Sequence, residues 1–225
     1  MIKKIVLVVL LVSYFGNAQE SNNLPEGFDC VQSIIPSIQV ELRYFGSHNF
    51  IGQAIDGYNK PVAILSSRSI VALKKVQDEL LNYNLSIKIF DAYRPQRAVN
   101  HFVRWAKVLN DTVGKNEFYP NVKKKDLFIE GYIAARSGHS RGSTLDMTLI
   151  DRHTEIELDM GSPWDFFGKE SWVAHEDLSA QQRSNRMLLQ TIMKKHGFNN
   201  YPKEWWHFTL KDESFPETYF DFVVE

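Results

Sequence analysis

Helices and strands alternate irregularly along this chain, and that predicts an α+β fold: one domain with a mainly antiparallel sheet and helices packed on one side. Three observations carry the expectation. No βαβ unit repeats at a fixed spacing. A helical stripe over residues 66–82 is followed at once by a period-two strand over 85–93. Residues 19–225, left after an N-terminal leader, are one domain's length of chain.

The leader comes first. Lys3 and Lys4 precede an apolar run too short to span a bilayer, and Gly16-Asn17-Ala18 supplies the small residues a signal peptidase accepts. The expectation is a signal peptide over 1–18, an exported (periplasmic or secreted) mature chain over 19–225, and no stable membrane insertion after cleavage. Residues 34–44 mix apolar and polar positions in a strand-like way. Residues 46–61, rich in Gly, Asn and Asp, read as loop with aromatic anchors at Phe50 and Tyr58.

Ser66 or Ser67 can cap the first long helix, whose apolar stripe runs through Ile70, Leu73, Val76, Gln77 and Leu80. In the following strand Leu85, Ile87 and Ile89 alternate with Ser86, Lys88 and Phe90. Pro95 suits the first turn of a second helix, to about residue 109, and places Arg94 at a strand-to-helix corner. Residues 110–125 form a polar connection whose run Lys123-Lys124-Lys125 reads as a solvated loop. Residues 127–135 fit helix or strand equally. A strand is expected over 145–149, loop over 151–169, a third helix over 179–196 stopped by Gly197, and a β-prone run over 205–210.

Composition removes several function classes. Lys and Arg number 26 against 27 Asp and Glu, so the chain lacks the basic footprint of a nucleic-acid binder. Cys30 is the one cysteine, which excludes an internal disulfide and a thiolate zinc cage; it reads as an inert thiol.

Two dense clusters carry chemistry. Ser137-Gly-His139-Ser-Arg-Gly-Ser-Thr-Leu-Asp146 is answered by Glu204-Trp-Trp-His207. A catalytic zinc site needs three protein ligands and one open position for water. His139 and Asp146 span a loop that turns into a strand, and His207 adds a third ligand from a distant strand. Glu204 remains as general base. Three residues apart on a regular strand, Glu204 and His207 would face opposite sides, so Glu204 is expected at a turn or bulge. Trp205 and Trp206 are expected to exclude water. Arg94 is the candidate for stabilising a developing oxyanion. His48, His101, His153, His175 and His196 read as surface or packing residues, with His175 the one candidate for a spare ligand.

Together these residues resemble the D-alanyl-D-alanine dipeptidases of the vancomycin-resistance type, zinc D,D-peptidases. The similarity runs through residues 41–50, Asp56-Gly-Tyr58, Asp91-Ala-Tyr-Arg-Pro-Gln-Arg-Ala-Val99, the two clusters above, Met160-Gly-Ser-Pro-Trp-Asp-Phe-Phe167 and Tyr219-Phe-Asp-Phe222. The resemblance implies one zinc ion held by His139, Asp146 and His207, with Glu204 as base and Arg94 steadying the tetrahedral intermediate. It further implies that Tyr44, Ser137 and Asp165 surround the free amino group of a small peptide substrate, D-Ala-D-Ala. From spacing alone Asp165 reads as a turn residue. Two other readings stand beside this one: an exported D,D- or L,D-carboxypeptidase trimming peptidoglycan stem peptides, and a zinc-bearing binding module without catalysis. An export signal points to peptidoglycan turnover or peptide scavenging rather than to a resistance role.

Overall fold

The computed structural model describes residues 24–225; the expected signal peptide lies outside them. The chain forms β1 (Phe28–Cys30), α1 (Val31–Ile34), β2 (Gln39–Val40), β3 (Ile64–Ser66), α2 (Ser67–Leu81), β4 (Leu85–Asp91) and α3 (Gln96–Lys107). It continues with α4 (Lys115–Phe118), β5 (Thr144–Asp151), α5 (Ala180–Lys195), β6 (Phe198–Tyr201) and β7 (Glu204–Leu210). Five strands make the main sheet in the order β2-β4-β5-β7-β6, antiparallel except for the β2–β4 pair; β1 and β3 form a separate antiparallel ribbon. The α+β expectation is met.

α2 lies on β4, α5 lies on β6 and β7, and the two helices touch. The α2 stripe explains the docking: Ile70, Leu73, Val76 and Leu80 are fully buried, each worth roughly 1.5–3 kcal/mol of burial. Gln77 sits in the same stripe as a linker. Its Nε2 donates to Ser86 Oγ at 2.8 Å and to Ser37 Oγ at 3.0 Å, and its Oε1 accepts from Ile87 N at 3.0 Å. α5 is framed as its sequence suggests. Ser179 and Gln182 form a reciprocal capping box, and Gly197 stops the helix at φ +93°.

Three expectations change. Residues 34–44 are mostly not strand: β2 is two residues long and a 3-10 turn follows at Arg43–Phe45. Residues 127–135 are neither helix nor strand but a series of turns. Lys124 is not solvated. It is buried, with Nζ 3.6 Å from the centre of the Trp105 ring and donating to the Asp111 carbonyl. A lysine stem lies on apolar surface readily, and an aromatic face with a carbonyl replaces much of the lost water.

The tail packs over the corner between β4 and α3. Phe28 meets Phe215, Phe220 and Phe222 with centroids 4.9–5.3 Å apart, and Tyr93 stacks on Phe222 at 4.0 Å. Gly142 sits at φ +78° against this cluster, and a Cβ there would lie 2.2 Å from Phe28 Cε1. Gly142→Ala therefore combines a left-handed backbone with overpacking. It is expected to cost about 2–4 kcal/mol, read as a lowered midpoint in urea with unchanged slope.

Candidate active site

The sheet register builds the site. Asp91 pairs with Asp146, and Asp146 pairs with His207, so three chemistry-bearing residues stand in a row across β4, β5 and β7. His139 comes from the 3-10 turn Gly138–Arg141 that leads into β5. Ser137 caps that turn by accepting from His139 N at 3.3 Å, and Gly142 ends it. β7 is irregular where the chemistry lies: Asn200 pairs with Phe208 but Tyr201 pairs with Glu204, leaving residues 205–207 bulged. The bulge brings Glu204 Oε2 to 3.4 Å from His207 Nδ1, as the three-residue spacing requires if both serve one centre.

His139 Nε2, His207 Nδ1 and Asp146 Oδ1 converge. Each nitrogen lies 3.1–3.3 Å from the carboxylate oxygen, and the two nitrogens are 3.3 Å apart. His139 Nδ1 meets the Ala92 carbonyl at 2.7 Å and must donate to it, which leaves Nε2 as a bare lone pair facing inward. Asp146 Oδ1 is buried without a hydrogen bond of good geometry, while Oδ2 accepts from Trp164 Nε1 at 3.3 Å. An orphaned buried carboxylate oxygen beside an aimed imidazole lone pair fits a divalent cation. Two nitrogens and one oxygen are a donor set that zinc accepts with a position left over. Among the described residues this is the one His, Cys, Asp and Glu cluster with such geometry. His175 lines a different cleft, beside α5, and is not a spare ligand.

Charge is arranged to match. Burial would raise the Asp146 carboxyl, but the two histidines hold it well below the usual carboxylate range. Burial lowers His139. Burial also pulls His207 down, but Asp146 and Glu204 outweigh it and leave its pKa raised. Burial pushes Glu204 up to about 7. Arg94 is half-buried, and Asp91 keeps it firmly charged against the cost of leaving water: Nε and Nη2 each lie 2.8 Å from Asp91 Oδ2. Its Nη2 is 3.7 Å from Asp146 Oδ2, and its guanidinium lies 5.0 Å over Tyr44 and 5.2 Å over Phe102.

A cleft of about 270 Å³ opens onto this cluster, walled in part by Tyr44, Arg94, Ser137, Asp165 and Glu204. Tyr44 OH donates to Asp165 Oδ2 at 2.8 Å across 121 residues of sequence. Burial raises Asp165 well above the ordinary value, against the hydrogen bond from Tyr44. Asp165 holds φ +64°, a left-handed conformation uncommon outside glycine, and such strain collects where a side chain is aimed for function. The proposed ligands His139, Asp146 and His207, with Glu204, Arg94, Tyr44, Ser137 and Asp165, thus all line one cleft. Trp205 and Trp206 do not: both are buried in the core and neither lines it.

Sequence reasoning missed three contributors. Asp91 is fully buried, accepts 2.6 Å from Tyr58 OH, anchors Arg94, and has Oδ2 3.5 Å from His139 Nδ1. Trp164 steadies Asp146. Tyr58, a loop anchor by its sequence context, also holds Asp91 in place through its hydroxyl. Asp91 had a signal, because an acid three residues before a corner arginine is its natural partner.

The chain is similar to known proteins along nearly all of its described length. The family model described as D-ala-D-ala dipeptidase matches residues 25–225. A D-alanyl-D-alanine dipeptidase of Enterococcus faecium is 35% identical over 199 residues, 88% of this chain and 98% of that protein. Its counterpart in Streptomyces coelicolor is 37% identical over 197 residues, 88% of this chain and 98% of that one. A third, from Escherichia coli, is 33% identical over 183 residues, 79% of this chain and 81% of that one. With a family model spanning nearly all the described residues and two of these relatives covered to 98% of their length, this chain belongs to the D-ala-D-ala dipeptidase family of peptidases.

Proposed function

We propose that this chain is a zinc metallopeptidase that hydrolyses D-Ala-D-Ala and similar short dipeptides in cell-wall peptide turnover, after export. The observation that carries the reading is the single cleft in which the His139, Asp146 and His207 donors, Glu204, Arg94 and the buried Asp165–Tyr44 pair all meet.

His139, Asp146 and His207 would hold the zinc. When bound, zinc supplies a Lewis acid and brings the pKa of water down to ~7. Glu204 takes the proton from the attacking water and returns it to the departing amine, from a position beside His207 that reaches the same centre. Arg94 faces the oxygen that gains charge at the scissile carbonyl, held by Asp91 so that it need not reorganise. Asp165 is a buried carboxyl lacking a cation, and an arriving ammonium supplies one. The Tyr44 and Ser137 hydroxyls lie in the same cleft and complete the amino-group site. The enclosure of Asp165 favours dipeptides over longer stem peptides, since a longer chain has no ammonium at that point.

Metal removal tests this directly. Chelator treatment of the mature protein is expected to abolish alanine release from D-Ala-D-Ala, and added zinc to restore it, in a mass-spectrometric assay run beside L,D- and L,L-dipeptides. Turnover that survives metal stripping, or a preference for L,L-dipeptides, sinks the reading.

A further inference from the structure

The cleft is rich in acid: Asp146, Asp165 and Glu204 line it, and Asp91 lies behind Arg94. A zwitterionic dipeptide brings a carboxylate of its own, which needs a cation. Two arginines line the cleft, Arg94 and Arg136. Arg94 is already committed to Asp91 and lies close to Asp146.

Arg136 is differently placed. It is exposed, and among the described residues no carboxylate lies within ion-pair distance of it. Its guanidinium lies 4.9 Å over the Tyr219 ring. That ring is itself fixed, since Arg141 approaches Tyr219 OH at 3.4 Å while bound to Glu213 at 2.6 and 2.7 Å. Stacking orients a planar guanidinium while its N–H edge stays open for a bidentate acceptor. Arg136 enters the cleft from the segment leading to the His139 turn; Asp165 and Tyr44 come from other loops. The lining of the cleft therefore includes a buried carboxylate and a guanidinium without a carboxylate partner among the described residues, supplied by different segments of the chain.

We propose that Arg136 binds the α-carboxylate of the substrate's C-terminal residue and so selects peptides that end immediately after the scissile bond's second residue. The proposal rests on the dipeptidase reading above and adds to it the second end of the substrate. The experiment compares kcat/KM for D-Ala-D-Ala and for its C-terminal amide in the zinc-loaded protein. The wild type is expected to prefer the acid by about 10- to 100-fold, the worth of a hydrogen-bonded charge. In Arg136→Ala the preference is expected to collapse through KM, with zinc content unchanged, and Arg136→Lys to restore part of it. An acid-to-amide ratio unchanged in Arg136→Ala overturns the assignment, as does a wild type indifferent to the amide. A wild type that cleaves neither peptide overturns the dipeptidase reading itself, and this inference with it.

Discussion

Glu204→Gln is expected to keep its zinc and lose its turnover. Glutamine matches glutamate in size, so the bulged start of β7 and the 3.4 Å approach to His207 should survive the exchange. What disappears is a proton acceptor. A general base contributes typically about 10²- to 10⁴-fold, and kcat should fall by that amount. His139, Asp146 and His207 are untouched, so the metal-to-protein ratio should remain that of the wild type. The pairing of the two readouts gives the test its force. Loss of zinc together with activity would make Glu204 a ligand or a structural support. Retention of full activity would move the base elsewhere in the cleft. Substrate binding should change little, which places the loss in kcat rather than in KM.

The sequence makes the centre of this site legible because its constraints are local. His139 and Asp146 lie on one turn-to-strand segment, with glycines where the turn must bend. The three-residue step from Glu204 to His207 demands a bulge, and the register of β6 against β7 contains one. The α2 stripe, the alternation in β4 and the cap of α5 are likewise written in neighbouring residues. The rest depends on pairings between distant segments. Asp165 gains its character from Tyr44, 121 residues away, and from a left-handed backbone that no residue type at that position announces. Trp164 becomes a support for Asp146 only because the loop before α5 folds back over β5. Lys124 looked solvated within a run of three lysines, but Trp105 on α3 lies beneath it. Local chemistry fixes which groups are present; the sheet decides which of them meet.

Asp146→Asn should separate metal binding from fold. The amide keeps the shape and can still accept from Trp164 Nε1, so the β5 position need not distort. It lacks the charge that faces two imidazoles and Arg94 in a buried setting. Loss of an outer-shell partner costs ~10- to 100-fold in metal affinity, and loss of a directly facing carboxylate should exceed that. Zinc binding to the wild-type native state should stabilise it by mass action, by about 2.7 kcal/mol when zinc is at a hundred times its Kd, and so raise its Tm. In Asp146→Asn that shift should largely vanish at the same zinc concentration, and D-Ala-D-Ala turnover should vanish with it. Glu204→Gln should show the reverse pattern, a full thermal shift without turnover. Equal zinc-dependent shifts in the wild type and Asp146→Asn would mean that the cation sits elsewhere. The row Asp91, Asp146 and His207 would then be a buried charge network that resembles a metal site without being one.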